Sequence, residues 1–447
     1  MKNSRPWKIL VFIIILNLSI LILYNPSHAI DINKIILPNG LTVLHVERHN
    51  LPIITVSLLI KASPFNEPLE KAGLANLTAE LLTEGTKTRK ASEISEEIEF
   101  IGASIDSSAE SDFTTVNMSV LKKDVDKGFE IFSDILINPV FAEDEIKRKK
   151  EMIIGSLRQS EEDPSFVANR TFRKALYGDH PYGRLITGTE DTIKKITRED
   201  LVKFHHNYYR PNNSVLSVVG NITDTELKTI IEKYLSKWEP KEIRHEEVKT
   251  VTEKKKEVIL IDKDLTQANI IIGHTGIKRE DPDYYAVSIM NYILGGGGFS
   301  SRLMQSIRDE MGLAYDIHSL FDAKKNGGFF YVTVQTKNKS ANTVIEEIMK
   351  QINRIKDEPV SDQDIDDAKA YLTGSFPRRF DTNRKIADML VAIEFYNLGM
   401  DFINRYPEQI KSVTKDDIIR VAKRYLDTDN FVIVVVARQS EAKIKER

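Results

Sequence analysis

A stretch in the first half of the chain returns, altered, in the second. Asn138-Pro139-Val140-Phe141-Ala142-Glu143-Asp144-Glu145-Ile146 has its counterpart in Glu358-Pro359-Val360-Ser361-Asp362-Gln363-Asp364-Ile365, and Gly155-Ser156-Leu157 in Gly374-Ser375-Phe376. Tyr209-Arg210-Pro211-Asn212-Asn213, which leads into the apolar run Ser214 to Val219, is answered by Tyr425-Leu426-Asp427-Thr428-Asp429-Asn430 and the run Phe431 to Val436. Matches in the same order at a nearly constant offset indicate a tandem duplication. Units larger than solenoid repeats imply two similar lobes facing each other, with the cleft between them a natural binding place.

Periodicity fills in each unit. Ile35 to Leu37, Pro38-Asn39-Gly40 and Leu41 to Leu44 read as strand, turn, strand, and Ile53 to Ile60 as a further strand. Helical spacing marks 91–101, 125–136 and 142–161; 113–120 reads as a strand. In the second unit, 258–261 and 268–272 are expected strands and 284–294 an expected helix. Strands grouped around helices without strict alternation favour an α+β fold, antiparallel sheets covered by helices. The expected division is a leader at 1–29, a first lobe at 30–240, a charged, solvated linker at 241–257 ending near Lys254-Lys255-Lys256, and a second lobe at 258–447.

The leader is expected from Lys2, Arg5 and Lys8 ahead of an apolar run from Ile9 to Tyr24, followed by Ser27-His28-Ala29 with small residues at both cleavage-determining positions. This predicts an exported protein, most simply periplasmic, cut after Ala29. If it is uncut, residues 9–24 serve as a membrane anchor, although the run falls just short of the roughly 17 to 25 residues that span a bilayer. Charge excludes other classes. With 63 basic and 66 acidic residues among 447 and a formal net charge of -3, nothing favours nucleic acid. The absence of cysteine removes disulfides, thiolate zinc sites and cysteine nucleophiles.

Gly73 to Thr86 carries the most pointed chemical signal. Apolar residues at 74, 77, 81 and 82 predict an amphipathic core helix stopped by Gly85, with Glu80 and Glu84 in solvent. The frame is that of an H-x-x-E-H helix, in which two imidazoles one turn apart hold zinc beside a carboxylate base. Its five positions here read Asn76, Leu77, Thr78, Ala79 and Glu80. An amide and one carboxylate make a poor zinc site, and Ala79 cannot take a proton. The remaining histidines offer no replacement pattern: His205 and His206 are adjacent, while His180, His274 and His318 lack neighbouring ligand pairs.

Taken with Ile101-Gly102-Ala103, Tyr177-Gly178-Asp179-His180-Pro181-Tyr182-Gly183, Tyr208 to Asn213 and Gly295-Gly296-Gly297-Gly298-Phe299-Ser300-Ser301-Arg302-Leu303, this stretch resembles the pitrilysin-type zinc peptidases, the M16 family. The likeness is to the two-subunit, processing-peptidase-like branch and runs from about Ile35 to Val436. It implies a LuxS/MPP-like metallohydrolase fold, two lobes in a clam-shell around a chamber. It also places the family's zinc histidines on Asn76 and Glu80 and its base on Ala79. The family's distant glutamate ligand falls on Ser156, with Glu151 and Glu161 nearby, so no zinc is expected in this chain.

The resemblance further implies that Arg308 and Tyr315, in Ile307-Arg308-Asp309-Glu310-Met311-Gly312-Leu313-Ala314-Tyr315, correspond to the family's peptide-holding pair. A guanidinium offers fixed donors to carbonyl oxygens, and a phenol can hydrogen-bond an oxyanion. Gly296, Gly297 and Gly298 lack the Gly-Lys-Ser/Thr of a phosphate loop and are expected to let a peptide backbone approach closely. Neither Ser156 nor Ser375 stands in a G-x-S-x-G setting. The expectation is a noncatalytic subunit that orients peptides for a zinc-bearing partner with an intact H-x-x-E-H helix. The alternative is a structural or assembly protein of the same fold with no part in proteolysis.

Overall fold

Short runs rich in β-branched residues build two sheets, and the helices between them build the layers around those sheets. A computed structural model describes residues 30–243 and 256–445, so the leader and most of the linker expected from the sequence lie outside the described residues. The first sheet contains β1 (Asn33–Ile36), β2 (Thr42–Glu47), β3 (Ile53–Ile60), β4 (Ser104–Ala109), β5 (Thr114–Leu121) and β6 (Ser214–Gly220), in the order β1-β2-β6-β3-β5-β4. The second contains β7 (Glu257–Asp262), β8 (Gln267–Thr275), β9 (Ala314–Lys324), β10 (Gly327–Lys337) and β11 (Val432–Ala437), in the order β7-β11-β8-β10-β9.

Without β1, the two orders coincide strand for strand. Each sheet is antiparallel except where its first repeated strand runs parallel to its last, β2 with β6 and β7 with β11. Local signals repeat as well. The helices Arg198–Tyr208 and Lys415–Tyr425 both begin on a threonine cap, Thr197 bonded to the Asp200 amide and Thr414 to that of Asp417. The duplication read from the sequence is therefore present in topology and in capping.

One face of each sheet meets its own lobe's helices. Ile54, Val56, Leu58 and Ile60 of β3 pack with Phe129, Phe132 and Leu201; Ile270 and Ile272 of β8 pack with Met290, Ile348 and Val421. The opposite faces are covered by exchange. The helix Pro164–Tyr177 lies across β8 and β11, where Val167, Phe172 and Leu176 meet Ile271, Val432, Val434 and Val436. Reciprocally, the helix Asn383–Phe395 lies across β3 and β6. From Asn33 onward the described residues form one compact unit.

Polar contacts fix the exchange. The Asp112 carboxylate accepts the Tyr182 hydroxyl at 2.5 Å, the Tyr396 hydroxyl at 3.0 Å and the Lys325 amide at 3.1 Å. The Tyr177 hydroxyl donates to the Gly328 carbonyl, and the Asn326 amide to the Tyr182 hydroxyl at 3.1 Å. One carboxylate of the first lobe thus gathers donors from both lobes.

Two expectations shift, and one strand has no counterpart among them. The helix read as running to Gly85 spans only Leu74–Glu80 and continues as turns. That read as 284–294 ends at Asn291 and passes into a π-helical segment, Tyr292–Gly296. The strand β4, whose sequence Ser-Ile-Asp-Ser-Ser-Ala holds little apolar alternation, is recognised through its pairing with β5.

Replacing Asp112 by alanine leaves two phenols and an amide without an acceptor. Asp112→Ala is expected to cost about 3 kcal/mol in urea unfolding and to raise amide hydrogen exchange at Lys325 and Asn326.

Candidate functional site

The helix Leu74–Glu80 starts at Gly73, whose φ of 100° puts it in the left-handed region that favours glycine. Its first amides are met by a side chain from upstream: Glu67 accepts from Gly73 at 3.1 Å and from Ala75 at 2.9 Å. Burial pushes the Glu67 carboxyl up from its ordinary range to about 7, against the opposing pull of those amides. Six of the seven helix residues, Leu74 to Ala79, are buried, as the core helix read from the sequence requires.

The positions of a zinc site are occupied by a different arrangement. The Asn76 amide donates to Glu80 at 2.9 Å, and the buried Ala79 offers only its carbonyl, which accepts from Ser107. Lys149, on the helix Glu143–Ser160, places its ammonium 3.8 Å from Glu80 and 3.0 Å from Glu84. Glu84 is not solvated as expected: its side chain is 16 % exposed and also pairs with Arg148. Burial raises its carboxyl, but hydrogen bonds from Lys149 and Arg148 prevail and hold it below the usual range. Ser156 is exposed and makes no hydrogen bond to this group. A fixed ammonium, an amide and an alanine do not fit zinc, which needs anionic or imidazole donors converging on one point.

The histidines are dispersed in other roles. His205 bonds the Leu136 carbonyl and His274 the Thr275 carbonyl, and burial pushes both rings down to about 4. His180 packs among Phe65, Tyr177 and Tyr182, His206 bonds Arg210, and His318 pairs with Asp316 on the surface. Among the described residues, no group of three or more histidine, aspartate or glutamate side chains is placed to hold a metal ion.

The second lobe brings its sequence-predicted residues together. Two π-helical segments, Tyr292–Gly296 and Met304–Glu310, bracket the glycine-rich loop; such segments are frequent at functional sites. Ser306 anchors the second through Glu347, which also accepts from Gln351 at 2.7 Å. Arg308 follows on that segment, and Tyr315 stands at the start of β9, which is an edge strand. The Arg308 guanidinium carbon lies 4.8 Å from the Tyr315 ring centre and 4.5 Å from that of Phe299.

The loop glycines serve first the chain's own packing. A Cβ on Gly295 would come within 2.6 Å of the Ser319 hydroxyl and one on Gly297 within 2.7 Å of the Tyr292 carbonyl. Gly298 has φ near 59° and open space beside it. The polar ends of the pair remain uncommitted. Among the described residues the Arg308 guanidinium makes no hydrogen bond and lies 3.9 Å from Asp309, and Tyr315 is 83 % exposed with no partner there for its hydroxyl.

Three residues at these sites escaped the sequence reading: Glu67, Lys149 and Phe299. Lys149 was within reach, since it lies two helical turns before Ser156 on the same face. Glu67 precedes the helix through a short 3-10 turn, Leu69–Lys71, and no spacing rule points to it.

A duplicated sheet with exchanged helices, a helix in the H-x-x-E-H frame without its donors, and an arginine-tyrosine pair beside a glycine-rich loop define a two-lobe α+β scaffold of the peptidase type. Comparison with known proteins agrees. Residues 42–190 match the family model for insulinase, peptidase family M16, and residues 195–372 that for the peptidase M16 inactive domain. An uncharacterized zinc protease of Rickettsia felis is 28% identical over 399 residues, covering 87% of this chain and 93% of that protein. The non-peptidase homolog YmxG of Helicobacter pylori is 25% identical over 402 residues, covering 90% and 93%. The crystal structure of a peptidase M16 inactive domain from Pseudomonas fluorescens matches with a TM-score of 0.86 at 27% identity, over 91% of this chain and 98% of that one. The chain belongs to the peptidase M16 family, as a noncatalytic member.

Two measurements probe the first-lobe site. Lys149→Met leaves Glu80 and Glu84 facing each other without their shared cation and is expected to cost about 1 to 2 kcal/mol in urea unfolding, most of it recovered when Glu84→Gln is added. For Glu67 the folded-state pKa lies above the unfolded one. Protonation therefore favours the fold below about 4.5, and the benefit is lost as pH rises through about 7. Glu67→Gln keeps only one of the two oxygens that accept from Gly73 and Ala75 and is expected to cost about 1 kcal/mol at pH 5, a deficit that shrinks toward pH 8, as read from thermal melts across that range.

Proposed function

We propose that this chain is an exported subunit that pairs with a separate M16 chain bearing an intact H-x-x-E-H helix and holds peptides for chemistry carried out by that partner. The observation that carries the reading is the state of Arg308 and Tyr315. Both are fixed beside the glycine-rich loop with their hydrogen-bonding groups unspent, whereas the Asn76–Glu80–Lys149 group is satisfied within itself. A guanidinium edge suits a peptide carbonyl, and a phenol suits the oxygen that gains charge when a peptide bond is attacked.

In this reading the peptide passes along Gly296, Gly297 and Gly298, where Gly298 leaves open space. Substrates are peptides or unfolded segments that bind extended, by strand addition to a sheet edge of the partner. Zinc belongs to the partner alone. Export follows from Lys2, Arg5 and Lys8 ahead of the apolar run, with cleavage after Ala29 releasing the chain into the periplasm; uncut, residues 9–24 would keep it at the membrane.

The chain purified alone is expected to hydrolyse no peptide, and its mixture with the H-x-x-E-H partner to be active. In that complex Arg308→Ala should lower kcat/KM about 100-fold, with Tyr315→Phe losing less. Zinc-dependent cleavage by the isolated chain would overturn the noncatalytic role. Unchanged activity of the complex with both substitutions would leave the structural or assembly role in its place.

A further inference from the structure

Arg308 lies over two aromatic rings, and only one of them belongs to the pair that the family resemblance supplies. The second ring is Phe299, carried by the glycine-rich loop rather than by β9, with its centre 4.5 Å from the guanidinium carbon. Aromatic rings this close to a guanidinium attract it through their quadrupoles. The guanidinium carbon lies over both rings, and among the described residues its N–H groups make no hydrogen bond. The lone acidic neighbour, Asp309 at 3.9 Å, is beyond hydrogen-bond distance.

Phe299 is 67 % exposed, so its ring is not placed there by core packing. Its position follows from the loop. Gly298 takes the left-handed turn, Ser301 donates back to the Gly298 carbonyl at 2.7 Å, and Ser300 to that of Gly297 at 2.9 Å. These bonds set the backbone on both sides of Phe299. The loop's conformation therefore presents a ring to Arg308.

We propose that Phe299 is a positioning residue for Arg308: together with Tyr315 it clamps the guanidinium so that its N–H edge faces the peptide. This rests on the peptide-holding reading above. An unclamped arginine samples many rotamers and must be ordered at each binding event; a clamped one is ordered beforehand. The glycine-rich loop thereby acts on the peptide through the arginine it holds, beyond any direct contact of its own backbone.

The test has two arms. In the isolated chain, nitrogen-proton NMR of the arginine side chains should show the Arg308 Nε–H resonance displaced by the flanking rings, assigned by its loss in Arg308→Lys. Phe299→Leu is expected to move it toward the free-arginine position, and Phe299→Tyr to keep it. An unmoved resonance in Phe299→Leu overturns the clamp whatever the complex does.

In the complex with the H-x-x-E-H partner, Phe299→Leu is expected to lower kcat/KM roughly fivefold to tenfold. Phe299→Tyr should restore it to within about twofold, and Phe299→Leu should have no further effect once Arg308 is alanine. An equal loss in the Arg308→Ala background overturns the inference, because the ring then acts independently. Weaker association of the two chains with unchanged kinetics at saturating partner also overturns it, making Phe299 a subunit contact. If Phe299→Leu is silent while Arg308→Ala is damaging, the clamp fails and the peptide-holding role stands; if Arg308→Ala is silent too, that role itself fails.

Discussion

The exchange of one helix between lobes is the constraint on which the rest of the structure depends. Each sheet has two apolar faces, and its own lobe covers one of them. Ile271, Val432, Val434 and Val436 are buried by Pro164–Tyr177 of the first lobe, while Asn383–Phe395 of the second lies over β3 and β6. An uncovered face of this kind would expose several large aliphatic side chains, each worth about 1.5 to 3 kcal/mol on burial. Neither lobe is complete without the other, so the chain folds as one unit although its sequence is a repeat. Burial alone would allow the lobes to slide. The directional bonds at Asp112, Tyr177 and Tyr182 set the register.

Those bonds also reach the second-lobe site. They fall on Lys325, Asn326 and Gly328, at the turn joining β9 to β10, and β9 begins beside Tyr315. The hairpin that carries Tyr315 is thus tied to the first lobe at its far end and to β8 along its length. On the other side, Ser306 and Glu347 fix the π-helical segment that carries Arg308. The pair stands on surface elements, yet both supports run into the interior, as a site that must hold a geometry requires.

Much of the fold was legible because duplication can be seen without knowing the structure. The parallel between Tyr209–Asn213 and Tyr425–Asn430 correctly placed β6 and β11, and alternation located β3 to the residue. What escaped was whatever depends on a distant partner. β4 is a strand because β5 offers it an edge, and the exchanged helices look in sequence like any amphipathic helix. The site divides in the same way. Asn76, Ala79 and Glu80 stood out because they fill the frame of an H-x-x-E-H helix, and Arg308 and Tyr315 because the family resemblance singles them out. Phe299 sat in plain view as the residue after a run of glycines, but only the turn at Gly298 and the bonds from Ser300 and Ser301 aim its ring.

The group around Lys149 explains how a metal-binding helix can persist without metal. Glu80 and Glu84 stand one turn apart on partly buried surface, a pairing that repels unless a cation lies between them. The Lys149 ammonium supplies that charge from within the chain, and Asn76 satisfies Glu80 with a neutral donor. The Lys149 cation is part of the chain, so Glu80 and Glu84 have a positive charge beside them without a bound ion. Restoring histidines at 76 and 80 would not by itself recreate a zinc site, for Lys149 would still hold a positive charge beside the point where a metal must sit. Around Asn76 the first lobe is thus closed upon its own side chains, whereas among the described residues the polar ends of Arg308 and Tyr315 in the second stay open.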